Sequence, residues 1–200
     1  MIVEGRFLMS EQIQNVNGNR SFITTKQLVV SAALIALAVV ADVIAPIRMP
    51  FGGSLSYGSL LFLSLIGYFN GIKVCVLAGI AFGLLKVIMG GFVLNIPQLL
   101  LDYPVAFGAL GLSGLFYKQK YGLLIGYVVG VLGRYLAAVL SGVIFFYQYA
   151  PEGTPALIYS LGYNLTYIIP EFIICMILIS IPALRKVIGQ MRSNISKEAS

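Results

Sequence analysis

Residues 121–147 read YGLLIGYVVGVLGRYLAAVLSGVIFFY, and Arg134 is the one charged residue among them. A helix crosses a bilayer with about 20 consecutive apolar residues, so this stretch is long enough for one spanning helix. Further apolar runs lie at 27–45, 56–70, 71–90, 97–117 and 155–184. The sequence therefore predicts an all-α polytopic membrane protein, a bundle of six transmembrane helices in one domain.

The composition of the whole chain agrees with a membrane protein. Of the 200 residues, 59% are hydrophobic and 10% are charged, and the mean hydropathy is +0.95. Soluble domains carry about 25% charged residues, so the charges here are too few to solvate a surface. The chain has no histidine, which excludes histidine zinc sites and Ser-His-Asp triads, and neither a metal nor a cofactor is expected.

The distribution of lysine and arginine predicts the orientation of the bundle. Six spans with a cytoplasmic N-terminus place ten basic residues in inside segments and Arg48 alone in an outside loop, as the positive-inside rule requires. We therefore expect a polar cytoplasmic extension at 1–26, a transmembrane domain at 27–185 and a basic cytoplasmic tail at 186–200. Because topology explains the basic residues, the bilayer is an expected partner and nucleic acid is not.

Five ionisable side chains are predicted to lie within or at the ends of the spans, where charge is costly and marks pairing or function. They are Asp42, Lys86, Asp102, Arg134 and Glu171. At about 1.5 Å of rise per residue, Lys86 matches Asp102 in depth, and Arg134 matches Glu171. Two ion pairs that hold the bundle together are therefore one hypothesis, and a ligand-binding role for Asp102 is the other.

Aromatic residues gather near the outer ends of the last two spans. They are Phe145, Phe146, Tyr147, Tyr149, Tyr159, Tyr163 and Tyr167. Tyrosine is typical of the membrane interface, but an interfacial belt does not explain Asn164 or the nearby Asp102. Because aromatic rings attract cations and a buried carboxylate favours a cationic partner, the pattern predicts an outward-facing pocket for a flat, positively charged heteroaromatic molecule.

Two other classes of protein fit this sequence less well than a small-molecule binding protein does. A membrane enzyme of the aspartyl type needs two acids brought together, but Asp102 and Glu171 are predicted at different depths. A stand-alone carrier or channel often shows an internal repeat, and the two halves of this chain show no convincing one. The chain also lacks the P-loop motif of nucleotide hydrolysis.

Several segments resemble the thiamine-specific substrate-binding subunits, or S components, of energy-coupling factor transporters, over about residues 27–185. The segments are LLDYPVAFGALGL at 100–112, SGVIFF at 141–146, YAPEG at 149–153, YSL at 159–161 and Asn164. The resemblance implies a six-helix fold with a vitamin site near its outer face, in a bacterial cell membrane. It also implies two kinds of partner, a membrane coupling subunit and two ABC-type ATPases, which would supply the ATP hydrolysis.

The resemblance also assigns roles to individual residues. By position, Asp102 corresponds to the acid that faces the thiazolium, and Tyr103 follows it as in the family. Tyr159 and Asn164 correspond to residues that hold the aminopyrimidine. With Phe146 and Tyr163, these residues form the predicted substrate-binding set. The small-xxx-small pair Ala32 and Ala36, which suits close helix packing, resembles the docking surface for the coupling subunit.

The chain departs from the family pattern at three positions. Phe146 stands where a stacking tryptophan is usual, and Ala138 stands where many members have a histidine that reaches the ligand. Asp102 replaces a glutamate, which keeps the charge but shortens the side chain by one methylene. These departures leave open a thiamine precursor such as hydroxymethylpyrimidine, or a different vitamin, as the ligand.

Overall fold

The computed structural model describes residues 23–44 and 47–197, and apolar helices account for most of this part of the chain. The helices are α1 (Thr25–Val43), α2 (Ser59–Asn70), α3 (Ile72–Ile88), α4 (Ile96–Phe116), α5 (Gly122–Phe145), α6 (Ala156–Ser180) and α7 (Pro182–Lys197). A short antiparallel hairpin, β1 (Ile47–Arg48) and β2 (Ser54–Leu55), connects α1 to α2. The second half of α4, Ala109–Phe116, is 3₁₀-helical, and single 3₁₀ turns lie at Pro50–Gly52 and Tyr147–Tyr149.

The predicted all-α membrane fold is confirmed, with a difference in helix length. Within the described residues, α1, α4, α5 and α6 are long and apolar enough to cross a membrane. Helices α2 and α3 occupy the second and third predicted spans but contain only 12 and 17 residues. They measure about 18 and 26 Å, against a hydrocarbon core of about 30 Å, so the count of six full spans is approximate.

Helix α2 is short because it lies inside the bundle. It packs against α1, α3, α4 and α5, and its side chains Leu60, Leu63 and Ile66 are completely buried. Gly71, with a φ of +82°, ends α2 and starts α3, a left-handed conformation that glycine adopts without steric cost. A helix surrounded by other helices does not have to match the thickness of the lipid.

The two ends of the chain differ from the predicted boundaries. Residues 1–22 of the predicted extension lie outside the described part, and α1 begins after a capping box formed by Thr24 and Gln27. The sixth apolar run was predicted to end at 184, but α6 ends at Ser180. Helix α7 follows at Pro182–Lys197, so it begins within the predicted transmembrane domain and continues through most of the predicted tail at 186–200.

Helix α7 lies across one end of the bundle. Lys26 Nζ, at the start of α1, donates a hydrogen bond of 2.9 Å to the carbonyl of Asn194. Arg192 donates to the carbonyl of Tyr117 at the end of α4, and its guanidinium lies 4.4 Å from the ring centroid of Tyr68 near the end of α2. These contacts place α7 at the end of the bundle that the charge distribution predicts to be cytoplasmic.

Candidate functional site

A pocket opens at the end of the bundle opposite α7. It lies between the α1–α2 hairpin, the end of α3, the first half of α4 and the facing parts of α5 and α6. The empty space in it, including the open mouth, is about 690 Å³, which is within the size range of small-molecule sites. The predicted substrate-binding residues Asp102, Tyr103, Phe146, Tyr159, Tyr163 and Asn164 all line this one pocket.

The backbone of α4 is irregular where it supplies Asp102 and Tyr103. Residues Leu101–Val105 form a π-helical turn that contains Pro104, and such turns are frequent at functional sites. Helix α3 approaches this turn closely, since a Cβ added to Gly83 would lie 2.6 Å from the carbonyl oxygen of Tyr103. A glycine is therefore required at Gly83 for the turn to lie where it does.

Asp102 is oriented by its own helix. Gln98, one turn earlier and 1% exposed, donates from Nε2 to Asp102 Oδ2 at 2.5 Å. The Oε1 of Gln98 accepts from the backbone N–H of Leu94 at 2.9 Å, and its backbone N–H donates to Asn95 Oδ1. The carboxylate is thus held in place, and no cationic side chain of residues 23–44 and 47–197 is in direct contact with it.

Of the two hypotheses for Asp102, the ion pair with Lys86 is wrong. Lys86 Nζ instead lies 2.7 Å from Asp42 Oδ1, at the end of α1, and donates to Ser54 Oγ on β2 at 3.0 Å. Ser54 Oγ donates in turn to Asp42 Oδ1 at 3.3 Å. Because Asp42 neutralises Lys86, the charge of Asp102 remains available to a ligand.

Replacing Ser54 with Ala tests whether this cluster holds the hairpin at the mouth of the pocket. The variant keeps the Lys86–Asp42 ion pair but loses the two hydrogen bonds of Ser54, each worth about 1 kcal/mol. We expect faster ligand dissociation and a modestly lower melting temperature in detergent. Tyr57→Phe, at an exposed position of the same loop, is the control, and equal dissociation rates in both variants would contradict this role.

The expected ion pair between Arg134 and Glu171 is also wrong. Glu171, 1% exposed, accepts hydrogen bonds at Oε1 from the hydroxyls of Ser56 and Ser59 and from the backbone N–H of Leu60. These donors lie at the N-terminus of α2, where backbone N–H groups lack helical partners and a negative charge is favourable. The carboxylate of α6 therefore caps α2 in the interior of the bundle.

Arg134 lies against aromatic rings in the wall of the pocket. Its guanidinium carbon is 4.5 Å from the ring centroid of Phe107 and 6.0 Å from that of Tyr167. The side chain is buried, and its Nη1 has no hydrogen-bond partner among the described residues. This donor is available to an acceptor atom of a bound molecule.

The aromatic stripe of α6 forms one wall of the pocket, as its spacing predicts. The ring centroids of Tyr159 and Tyr163 are 6.1 Å apart, and those of Tyr163 and Tyr167 are 5.9 Å apart. Tyr167 Oη donates to Asn164 Oδ1 at 2.5 Å, and Asn164 Nδ2 donates to the carbonyl of Ser160 at 2.9 Å. The amide orientation of Asn164 is thus fixed by its own helix.

Residues of the hairpin loop were not predicted to contribute to the pocket. Phe51 has a φ of +62°, and its ring centroid lies 4.1 Å from that of Tyr149 and 6.3 Å from that of Phe146.

The same loop also contacts α6. Tyr163 Oη donates to the carbonyl of Pro50, and a Cβ on Gly53 would meet the Tyr167 ring at 2.8 Å. An aromatic residue followed by two glycines between apolar runs is the signal that could have identified this loop.

Residues 28–188 match the family model described as thiamine transporter protein (Thia_YuaJ). A thiamine transporter ThiT from Bacillus subtilis strain 168 is 40% identical over 169 residues, covering 76% of this chain and 88% of the relative. A protein of that name from Lacticaseibacillus paracasei is 33% identical over 159 residues, covering 70% and 79%. A solved structure of ThiT from Listeria monocytogenes matches with a TM-score of 0.65 and 26% identity, over 79% of this chain and 96% of that chain.

Proposed function

The chain belongs to the thiamine transporter family, and from this we propose that it is the substrate-binding membrane subunit of a thiamine importer. The observation that supports this most directly is the pocket that gathers an acid, an amide and several aromatic rings at one end of a membrane bundle. The family and its relatives favour thiamine over a precursor, a different vitamin or a stand-alone carrier. The work of the chain is binding, without covalent chemistry.

The chemistry of the pocket suits both rings of thiamine. Asp102 supplies a negative charge for the thiazolium cation, and Tyr103 lies beside it. The faces of Phe146 and Tyr163 offer surfaces on which flat rings stack, and cation–π attraction adds about 2 kcal/mol or more where water is excluded. Tyr159 and Asn164 line the wall from α6, where they can hold the aminopyrimidine.

Two structural features compensate for the residues that the chain lacks. Phe51 joins Phe146 in an aromatic group at the mouth, which enlarges the stacking surface where a tryptophan is usual. Arg134 presents an unpartnered donor in the same pocket that Ala138 lines. The guanidinium can therefore donate to a pyrimidine nitrogen or to the hydroxyl group of the ligand, in place of the missing histidine.

The partners and the location are further parts of the proposal. We place the protein in the bacterial plasma membrane with both termini in the cytoplasm, and residues 27–185 form its substrate-binding domain. A membrane coupling subunit and two ABC-type ATPases would drive release of the vitamin. Ala32 and Ala36 are exposed on one side of α1, which leaves them accessible to a coupling helix.

Calorimetric titration of the detergent-purified protein with thiamine tests the proposed substrate. We expect saturable thiamine binding with a stoichiometry of one, and no heat with riboflavin as the control ligand. Hydroxymethylpyrimidine is expected to bind more weakly than thiamine, because it has no cation for Asp102. Tighter binding of the pyrimidine than of thiamine would contradict the assignment of the ligand.

A further inference from the structure

Helix α7 has a charge and surface pattern that the proposed uptake function does not use. Residues 182–197 contain Arg185, Lys186, Arg192 and Lys197 and no acidic residue. The family match ends at residue 188, so the second half of α7 lies beyond it. The segment connecting α6 to α7 is the single residue Ile181, which keeps α7 at the level where α6 leaves the bilayer.

One side of α7 is covered by the bundle. Ile188 and Ile195 are buried, and Arg192 is held by Tyr117 and Tyr68. Because these contacts reach the start of α1 and the ends of α2 and α4, the axis of α7 runs across the end of the bundle. An α-helix of this length measures about 24 Å, and in this position it lies along the membrane surface.

The apolar surface of α7 extends beyond the part that the bundle covers. Val187 and Met191, one helical turn apart, are 51% and 44% exposed, and we call them the apolar edge of α7. They lie next to the buried residues on the helix, so the apolar edge extends the side that faces the bundle outward, toward the surrounding bilayer. A basic helix with such an edge is the pattern of segments that rest in the lipid headgroup region.

Charge complementarity identifies the lipid. Lys186 is exposed on α7, and Lys118 and Lys120 are exposed in the α4–α5 turn, beside the Tyr117 carbonyl that binds Arg192. The described segments at this end, 23–27, 70–73, 117–121 and 181–197, contain no aspartate or glutamate. We propose that α7 and the adjacent turn form a binding surface for anionic lipid headgroups, with the apolar edge inserted among the acyl chains.

Tryptophan fluorescence tests this proposal directly, because the chain contains no tryptophan and an introduced one is the only reporter. Met191→Trp places it on the apolar edge, and Ser193→Trp places it at an exposed position on the opposite side of α7 as a matched control. Each full-length variant is incorporated into lipid vesicles of phosphatidylcholine alone or mixed with phosphatidylglycerol, which contain no other protein. Retained thiamine binding shows that each variant is folded.

We expect lipids with brominated acyl chains to quench the fluorescence of Met191→Trp. The quenching should be stronger when the brominated lipid is phosphatidylglycerol than when it is phosphatidylcholine. The fluorescence of Ser193→Trp is expected to be quenched by acrylamide in the aqueous phase instead. Adding Lys186→Gln to Met191→Trp should lower the ratio of quenching by brominated phosphatidylglycerol to quenching by brominated phosphatidylcholine, by up to about fivefold. High salt should lower the same ratio in the Met191→Trp variant that keeps Lys186.

Three results would overturn the proposal. If acrylamide quenched the fluorescence of Met191→Trp as strongly as that of Ser193→Trp, the apolar edge would be open to water. Protection from both acrylamide and brominated lipid would show that protein covers the edge. Equal quenching by the two brominated lipids, unchanged by Lys186→Gln, would show insertion without recognition of anionic headgroups.

Discussion

Replacing Asp102 with Asn is expected to weaken thiamine binding at least about 30-fold, since loss of a desolvated charge partner costs about 2–5 kcal/mol. The side chain keeps its size and its contact with Gln98, because an amide oxygen also accepts from Nε2. What the variant loses is the negative charge that we propose faces the thiazolium, and no other acid lines the described pocket.

Titration of the variant with thiamine and with hydroxymethylpyrimidine distinguishes the loss of the Asp102 charge from a change in the shape of the pocket. The affinity for thiamine should fall, and the affinity for the neutral pyrimidine should change little. Glu152→Gln is the control, because Glu152 is an exposed acid in the α5–α6 loop at the same end of the bundle. An Asp102→Asn variant that binds thiamine with unchanged affinity would exclude the carboxylate as the cation site.

Much of this pocket follows from helical geometry. Tyr159, Tyr163 and Tyr167 recur every four residues, so they share one side of α6 and point into one space. The segment LLDYPVAF at 100–107 is likewise local in sequence, and the resemblance that it carries assigned Asp102 and Tyr103 to one site. Such features are local in sequence, and for that reason they could be predicted.

The partners of the buried charges could not be predicted from depth. Lys86 and Asp102 are predicted at similar depths, but the depth of a residue does not determine which neighbouring helix its side chain faces. Lys86 on α3 instead meets Asp42, at the C-terminal end of α1. Likewise, Glu171 meets Ser56 because α6 packs beside the start of α2, a relation between segments 115 residues apart.

Replacing Ala32 or Ala36 with Leu is expected to abolish co-purification of the coupling subunit while thiamine binding stays unchanged. Both alanines are exposed on α1, one turn apart, so a larger side chain at either position keeps a partner helix from close approach. The binding pocket lies on other helices and at the hairpin, which explains why affinity should be preserved.

Co-expression of each variant with the coupling subunit and its ATPases, followed by affinity purification, measures assembly. Gly162→Leu is the control, because a Cβ at exposed Gly162 on α6 meets no atom within 4 Å. It adds the same side chain to a lipid-facing position elsewhere. Recovery of the complete complex with Ala32→Leu and Ala36→Leu would refute the docking surface.

The cap that Glu171 provides for α2 has a consequence for biogenesis. The backbone N–H of Leu60 reaches its acceptor 111 residues later in the chain, so ribosome-bound chains that end before α6 contain α2 with an open N-terminus. A 12-residue helix is also too short to remain in the bilayer as an independent span. We therefore expect helix α2 to reach its final position only after α6 has been synthesised, so that insertion does not proceed strictly from the N-terminus onward.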